Sequence, residues 1–403
     1  MTETDRPDSR RTEPTAILRP APVTLADLTS DLLWPRLLRA GKLAFKADRL
    51  AIALLTVLLI GVIGSLNTFF GGRSFIGGVL LIKFEAIGEL LLSLVMLDIP
   101  RAGDAVLGLG VGVPRQIASE FPVSVWLLGV PIVVVWAIGL GAICRSAACE
   151  FSAGVFRPWP ETLAFSIRRG VMMVSALVLP PVLAGLSLLV AWAVGLLTAL
   201  PVIEYLGAVV YPVSLLFVFA AVLTLLLYVF GGHMLVPSVA CEGTDGIDAL
   251  QRGGHYVLHR PLRLALYLGV LGLVGAVLLG IVFWLAWAVP ALADALRPDP
   301  AGAKLFDDSA LLRGPEAIIA FWSKIPGVLA AAVAVSYYAC ASTLLYLAMR
   351  QQCDGQHYSE IWFEGVSDTV LAEAERSGER LSGRQQDGDE QGEQEQEEDR
   401  RSS

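Results

Sequence analysis

FPVSVWLLGVPIVVVWAIGLGAICRSAACE, residues 121–150, carries no Asp, Glu, Lys or Arg from Phe121 to Cys144, then meets Arg145 and Glu150. A helix rises about 1.5 Å per residue, so about 20 residues cross a hydrocarbon core about 30 Å thick. In that core each unpaired amide costs several kcal/mol, so an uncharged run of this length must satisfy its own backbone as a helix. Five more runs pass the same test: Leu50–Phe70, Gly170–Ile203, Tyr211–Val236, Leu264–Leu292 and Ile325–Met349. The sequence therefore predicts an all-α polytopic membrane protein with six transmembrane helices. Pro131 and Pro180–Pro181 are expected kinks.

Composition agrees. Apolar residues make up 55% of the chain and charged residues 17%, with a mean hydropathy of +0.63. An ordinary soluble domain holds about 45–50% apolar residues. The net charge is −8, but much of the acidity lies in the last thirty residues, so neither a nucleic-acid footprint nor a single basic surface is implied. The expected partners are membrane lipids, with no nucleic acid. Cys144, Cys149, Cys241, Cys340 and Cys353 lack the spacing of a disulfide framework or a zinc ribbon and read as reduced thiols. The first apolar run starts at Leu50, behind a polar leader too long for a cleavable signal, and neither end carries a lipidation motif.

Basic residues set the direction of threading. They collect before the first span, in the link holding Arg145, Arg157, Arg168 and Arg169, and in the link holding Arg252, Arg260 and Arg263. Both termini are then cytoplasmic. Residues 1–31 read as a disordered leader and residues 32–49 as a basic amphipathic helix, with Arg36, Arg39, Lys42, Lys46 and Arg49 at helical spacing. That helix either lies on the anionic leaflet or presents a solvated face leading into the first span. Residues 50–350 form the six-helix domain, and 351–403 a polar cytoplasmic tail, disordered and acidic at its end. Residues 76–97 are long enough to span but hold Lys83, Glu85 and Glu89. With the two glutamates on one face and leucines opposite, an amphipathic or partly re-entrant helix on the outer surface fits better than a seventh span.

The chain also repeats itself. Phe121-Pro122-Val123-Ser124-Val125 and Tyr211-Pro212-Val213-Ser214-Leu215 open two spans; Ser146-Ala147-Ala148-Cys149-Glu150 and Ser238-Val239-Ala240-Cys241-Glu242 close them. The copies cover about 121–197 and 211–292 and run in the same direction, which makes them parallel repeats. A fainter third copy runs from Ile325-Pro326-Gly327 to Cys353-Asp354-Gly355. Pro at each opening suits the first turn of a helix, where its missing N–H goes unused.

At Glu242, Ala249-Leu250-Gln251-Arg252 and Arg260-Pro261 the chain resembles bacterial six-helix membrane proteins of uncharacterised function, especially planctomycete-type ones. More distantly it is similar to the membrane domain attached to glycerophosphodiester phosphodiesterases. The resemblance covers about 120–350 and the first copy departs from it by an insertion around Arg157-Pro158. It implies an architecture and a bacterial cytoplasmic membrane, and no activity.

The candidate site is a polar cluster at the inner surface: Glu150, Arg168, Arg169, Glu242, Arg252 and Arg260. Glu150, Glu242 and Asp354 hold equivalent positions. They either pair with Arg168, Arg169 and Arg252 around a lipid headgroup, or cap the surface helices that follow. The basic residues either bind phosphate or simply obey the positive-inside rule. His255 and His259 sit four residues apart, and His233, His357 and three cysteines fall near the same face; packing explains them better than a metal site. Gly269, Gly272, Gly275 and Gly280 are expected close-packing points between helices, and Phe283, Trp284 and Trp287 an outer aromatic belt. A phosphate-binding glycine loop, a nucleophile elbow and a His-Glu-x-x-His motif are all missing, and no cofactor is expected. The spans hold no acid or base of the kind that ion-coupled carriers use. The leading reading is a non-enzymatic protein that organises lipid or partner proteins; the tail is either a partner-binding segment or, better, a solubilising remnant. The alternatives are a permease for a lipid-like molecule and a lipid-modifying enzyme.

Overall fold

The computed structural model describes residues 34–69, 74–199, 203–297, 313–358 and 360–362. The leader 1–31 and the tail beyond Trp362 lie outside the described residues. Among the described residues every regular element is a helix. In chain order these are α1 (Trp34–Leu37), α2 (Arg39–Ala44), α3 (Ala47–Phe69), α4 (Phe75–Val95), α5 (Ile99–Leu107), α6 (Val113–Glu120), α7 (Val130–Ala153) and α8 (Trp159–Arg168). They continue as α9 (Gly170–Ala199), α10 (Glu204–Gly231), α11 (Leu235–Glu242), α12 (Gly246–His259), α13 (Pro261–Ala295) and α14 (Arg313–Asp354).

Among the described residues six stretches are long and apolar enough to cross a membrane: Ala47–Thr68, Val125–Ala153, Gly170–Ala199, Glu204–Glu242, Pro261–Ala295 and Ile318–Asp354. Each contains or overlaps one of the six uncharged runs. The chain is an all-α polytopic membrane protein.

The spans pack as three antiparallel pairs, α3 with α7, α9 with α10, and α13 with α14. α14 packs on α3 and α7 as well, and all three pairs are most deeply buried at one end. There α7 is buried from Leu140 to Cys149, α11 from Leu235 to Cys241, and α14 from Ala339 to Arg350. Lipid tails are as apolar as leucine, so close packing of small residues, rather than escape from water, must hold such helices together. Ala142, Ala147, Ala148, Ala240, Ala339 and four buried cysteines supply that packing. Towards the other end, leucines and valines of α3, α9, α10 and α13 are exposed, as lipid-facing surfaces require.

Glycine sets several approaches and stops. A Cβ on Gly141 would lie 2.0 Å from Met173 Sδ, and one on Gly139 would lie 2.1 Å from Thr56 Oγ1. Gly154, Gly243 and Gly355 take left-handed backbone, at φ +65°, +68° and +68°, and end α7, α11 and α14.

Several expectations need correction. Pro212 lies inside α10 rather than in its first turn, because the apolar residues from Tyr205 to Val210 extend the helix back to Glu204. The fourth span also runs on through a 3₁₀ turn, Gly232–Met234, into α11. Of the four glycines in α13 only Gly275 touches a neighbour, the Tyr337 ring; Gly269, Gly272 and Gly280 face open space. The basic leader helix is broken at Leu38 and Phe45–Lys46, and it is not a free surface helix: Leu37, Ala40, Leu43 and Ala44 are buried against the bundle. The polar tail starts later than residue 351. Gln351–Asp354 still belong to α14, and the chain then folds back over the packed end as far as Trp362.

Candidate functional site

The packed end is built around three carboxylates, each near the close of a helix. Glu150, in the last turn of α7, accepts from Arg49, and its other oxygen lies 2.7 Å from Lys46 Nζ. Arg49 is 1% exposed and also donates to Ser146 Oγ at 3.1 Å and to the Leu43 carbonyl at 2.6 Å. The guanidinium therefore ties the leader, the start of α3 and the end of α7 together. A charge so buried survives only when paired and hydrogen-bonded on all sides.

Glu242, the last residue of α11, is the second node. Arg252 from α12, and Tyr346 and Arg350 from α14, all meet its carboxylate. Arg350 is 1% exposed, with Nη1 3.4 Å from Glu242 Oε1. Its Nη2 donates to the carbonyls of His357 at 3.0 Å and Glu360 at 2.5 Å. Burial is the largest single influence and depresses the Arg252 pKa, but the Glu242 carboxylate together with the Tyr346 and Tyr256 hydroxyls outweighs it, and the net shift is upward. Arg252 stays charged.

Asp354, the last residue of α14, accepts from the Tyr256 hydroxyl at 2.5 Å. Burial, and then this bond and the charge behind it, raise the Tyr256 pKa, so the phenol keeps its proton. Beside this pair lies an open depression of ≈ 390 Å³, lined by Gln251, Arg252, His255, Tyr256, Asp354 and Gln356. His255 stacks on His259 with ring centroids 5.0 Å apart.

The segment after Gly355 straps this end. The Trp362 amide donates to the Cys241 carbonyl at 2.9 Å, and its indole lies beneath the Arg169 guanidinium at 4.6 Å. Arg169 also donates to the Gly243 carbonyl at 2.5 Å. Arg36 covers the Tyr358 ring at 4.6 Å, and Arg145 Nη1 donates to the Ala240 carbonyl at 3.0 Å.

The six residues singled out in the sequence thus divide. Glu242 and Arg252 pair as expected. Glu150 does not pair with Arg168 or Arg169; Lys46 and Arg49, which precede the first repeat, take that role. Arg169 serves the strap, Arg168 is exposed at the end of α8, and Arg260 is half-buried with its Nε unpaired. The carboxylates are not caps either. Asp245 caps α12 through the amides of Ile247 and Asp248, and α8 starts behind Pro158 without a side-chain cap. Glu242 ends the helix before the one it was expected to cap, so its side chain turns back into the bundle.

Sequence reasoning passed over Tyr256, Tyr346 and Arg350, and read Arg49 as part of the basic leader helix rather than of the cluster. Arg49 and Arg350 carried a usable signal, since each is the charge immediately beside an uncharged span. The histidines disperse: His233 meets Tyr338 at 3.1 Å, and His357 stacks on Tyr358. Among the described residues no three His, Cys, Asp or Glu side chains gather as a metal site. No protein-family model, curated protein or solved structure matches the chain.

Proposed function

We propose that the chain is a multi-pass protein of a bacterial cytoplasmic membrane, with both termini cytoplasmic, and that its packed end organises anionic lipid or partner proteins without catalysis. One observation carries the reading. Every carboxylate of the central cluster is held by a cation or a phenol of the same chain, while Arg252 remains about one-third exposed beside a shallow, open depression. Groups locked in this way support recognition of a headgroup better than they support acid–base chemistry.

The orientation is supported by the gathering of basic residues from four distant parts of the chain. Lys46 and Arg49, then Arg145 and Arg169, then Arg252, and finally Arg350 all make contacts at the one packed end. Such an end belongs on the cytoplasmic side. The duplication fits too, since Glu150, Glu242 and Asp354 close the inward helices of the three copies, each followed by a left-handed glycine. The acidic tail beyond Trp362 is a cytoplasmic segment available to protein partners.

The test is native mass spectrometry of the full chain, released from mild detergent with its lipids. Anionic lipid should remain on the parent protein and be lost from Arg252→Ala. Equal retention in both overturns the reading, as does sustained flux of a lipid-like dye through proteoliposomes.

A further inference from the structure

We infer that residues 75–120 form a membrane-immersed helical hairpin that enters and leaves on the same face, with α4 turning an apolar stripe towards the acyl chains. Of the two forms expected for residues 76–97, an amphipathic or a partly re-entrant helix on the outer surface, this takes the re-entrant one and extends it to residue 120.

The two ends of the segment lie together. The rings of Phe75 and Phe121 meet edge to face at 5.3 Å and form one cluster with Leu128 at the start of the second span, against which Ile63 of α3 packs. The chain therefore leaves this point and comes back to it. The far part of the hairpin lies elsewhere: Leu90, Ala105 and Val106 pack on Val229 and Phe230 of α10, and Gly110 lies against Leu225. Val229 is 25 residues beyond Glu204, about 38 Å at 1.5 Å per residue, so the hairpin reaches far along a helix that itself crosses the membrane.

The faces of α4 give the second observation. Its buried residues are Phe75, Ile82, Leu90 and Ser93. At 100° per residue the stripe opposite them is Leu80, Leu81, Phe84, Ile87, Leu91 and Val95, all exposed, with Phe84 at 67% and Val95 at 79%. Lys83, Glu85 and Glu89 fall on the borders of the packed face, outside that stripe. A helix lying on water would show the reverse order. The turn continues the pattern, with Leu97 85% and Ile99 82% exposed, and Leu97 in left-handed backbone at φ 55°. The neighbouring spans α3 and α10 also expose apolar side chains, among them Val62 and Leu216, and the occupant that fits both is lipid.

An even number of membrane passages is kept, so the hairpin leaves both termini on one side. Its charged residues also bring acids and bases into the bilayer region that the six spans lack.

Site-directed spin labelling tests the placement. Cys353→Ser removes the one half-exposed thiol; the four remaining cysteines are buried. Nitroxides are then placed singly by Phe84→Cys and Leu91→Cys in the full chain, reconstituted into liposomes, with Gln356→Cys, exposed at the packed end, as an aqueous reference. Phe84 and Leu91 labels should collide readily with oxygen and be at least several-fold less accessible than the Gln356 label to a water-soluble nickel chelate. Nickel accessibility equal to the Gln356 label overturns the proposal, and so does protection from both reagents, which would place protein over the stripe. Photolabelling of the unsubstituted protein with an apolar carbene gives a check free of mutation: adducts mapping to residues 80–95 support immersion, and their absence there while α10 is labelled overturns it.

Discussion

Replacing Glu242 by Gln removes one negative charge from between two arginines of very different exposure. Arg350 is 1% exposed and cannot reach water without moving α14 or the strap. The Arg252 side chain is 35% exposed and can be hydrated where it stands. Breaking a buried pair by removing one partner costs about 3–5 kcal/mol, whereas an exposed pair contributes about 0.2–1 kcal/mol. Glu242→Gln should therefore destabilise by about 3–5 kcal/mol, and Arg252→Ala by about 1 kcal/mol. Arg350→Met falls between them, at about 2–3 kcal/mol, because Glu242 keeps Arg252 and Tyr346 while the carbonyls of His357 and Glu360 lose their donor. The double variant Glu242→Gln/Arg350→Met should be less damaged than the sum of its parts. Equilibrium unfolding in mixed detergent–SDS micelles, followed by tryptophan fluorescence, measures all four. Additivity of the two substitutions, or a Glu242→Gln effect smaller than that of Arg252→Ala, refutes the account of the central cluster.

Other expectations concern separate parts of the molecule. Gly141→Val should destabilise by about 1–3 kcal/mol, since its side chain meets Met173 and Ser166, while Gly272→Val, with nothing within 4 Å, should be silent in the same assay. Trp362→Ala should loosen the strap by about 2 kcal/mol, half the usual cost of a buried tryptophan, and limited proteolysis should then cut between Gly355 and Trp362 faster than in the parent. Tyr256 has its folded pKa raised, so its contribution is complete below the ordinary phenol value of about 10 and is lost as pH climbs through the folded value. The stability difference between parent and Tyr256→Phe should be flat below about pH 10 and shrink above it, as read by unfolding across an alkaline pH series.

The spans were legible because lipid imposes a rule on single residues: one charge in a run of twenty is visible without knowing any neighbour. The sequence matches that align Glu150, Glu242 and Asp354 were visible as well, and each of the three stands in the last turn of a helix. Their partners were not visible. Arg49 and Lys46 reach Glu150 from before the first repeat, about a hundred residues away, and nothing in the local pattern links them. On α4 the glutamates four residues apart were legible, with leucines opposite them; which face packs was not, because Ile82 and Leu90 are buried, Leu90 in a cluster with Val229 and Phe230, distant in sequence. Gly269, Gly272 and Gly280 lie near helical spacing that marks an interface in many membrane helices, yet α13 meets α14 around Gly275 and Tyr337 instead.

Sidedness can be read from two cysteines introduced at opposite ends of the bundle in the Cys353→Ser background. Gln356→Cys lies at the packed, basic end, and Leu296→Cys just beyond α13 at the other. With a membrane-impermeant maleimide on bacterial cells, Leu296→Cys should label in intact cells and Gln356→Cys only after permeabilisation. Labelling of Gln356→Cys in intact cells, or of neither position until the membrane is opened, contradicts the six-span arrangement with its basic end in the cytoplasm.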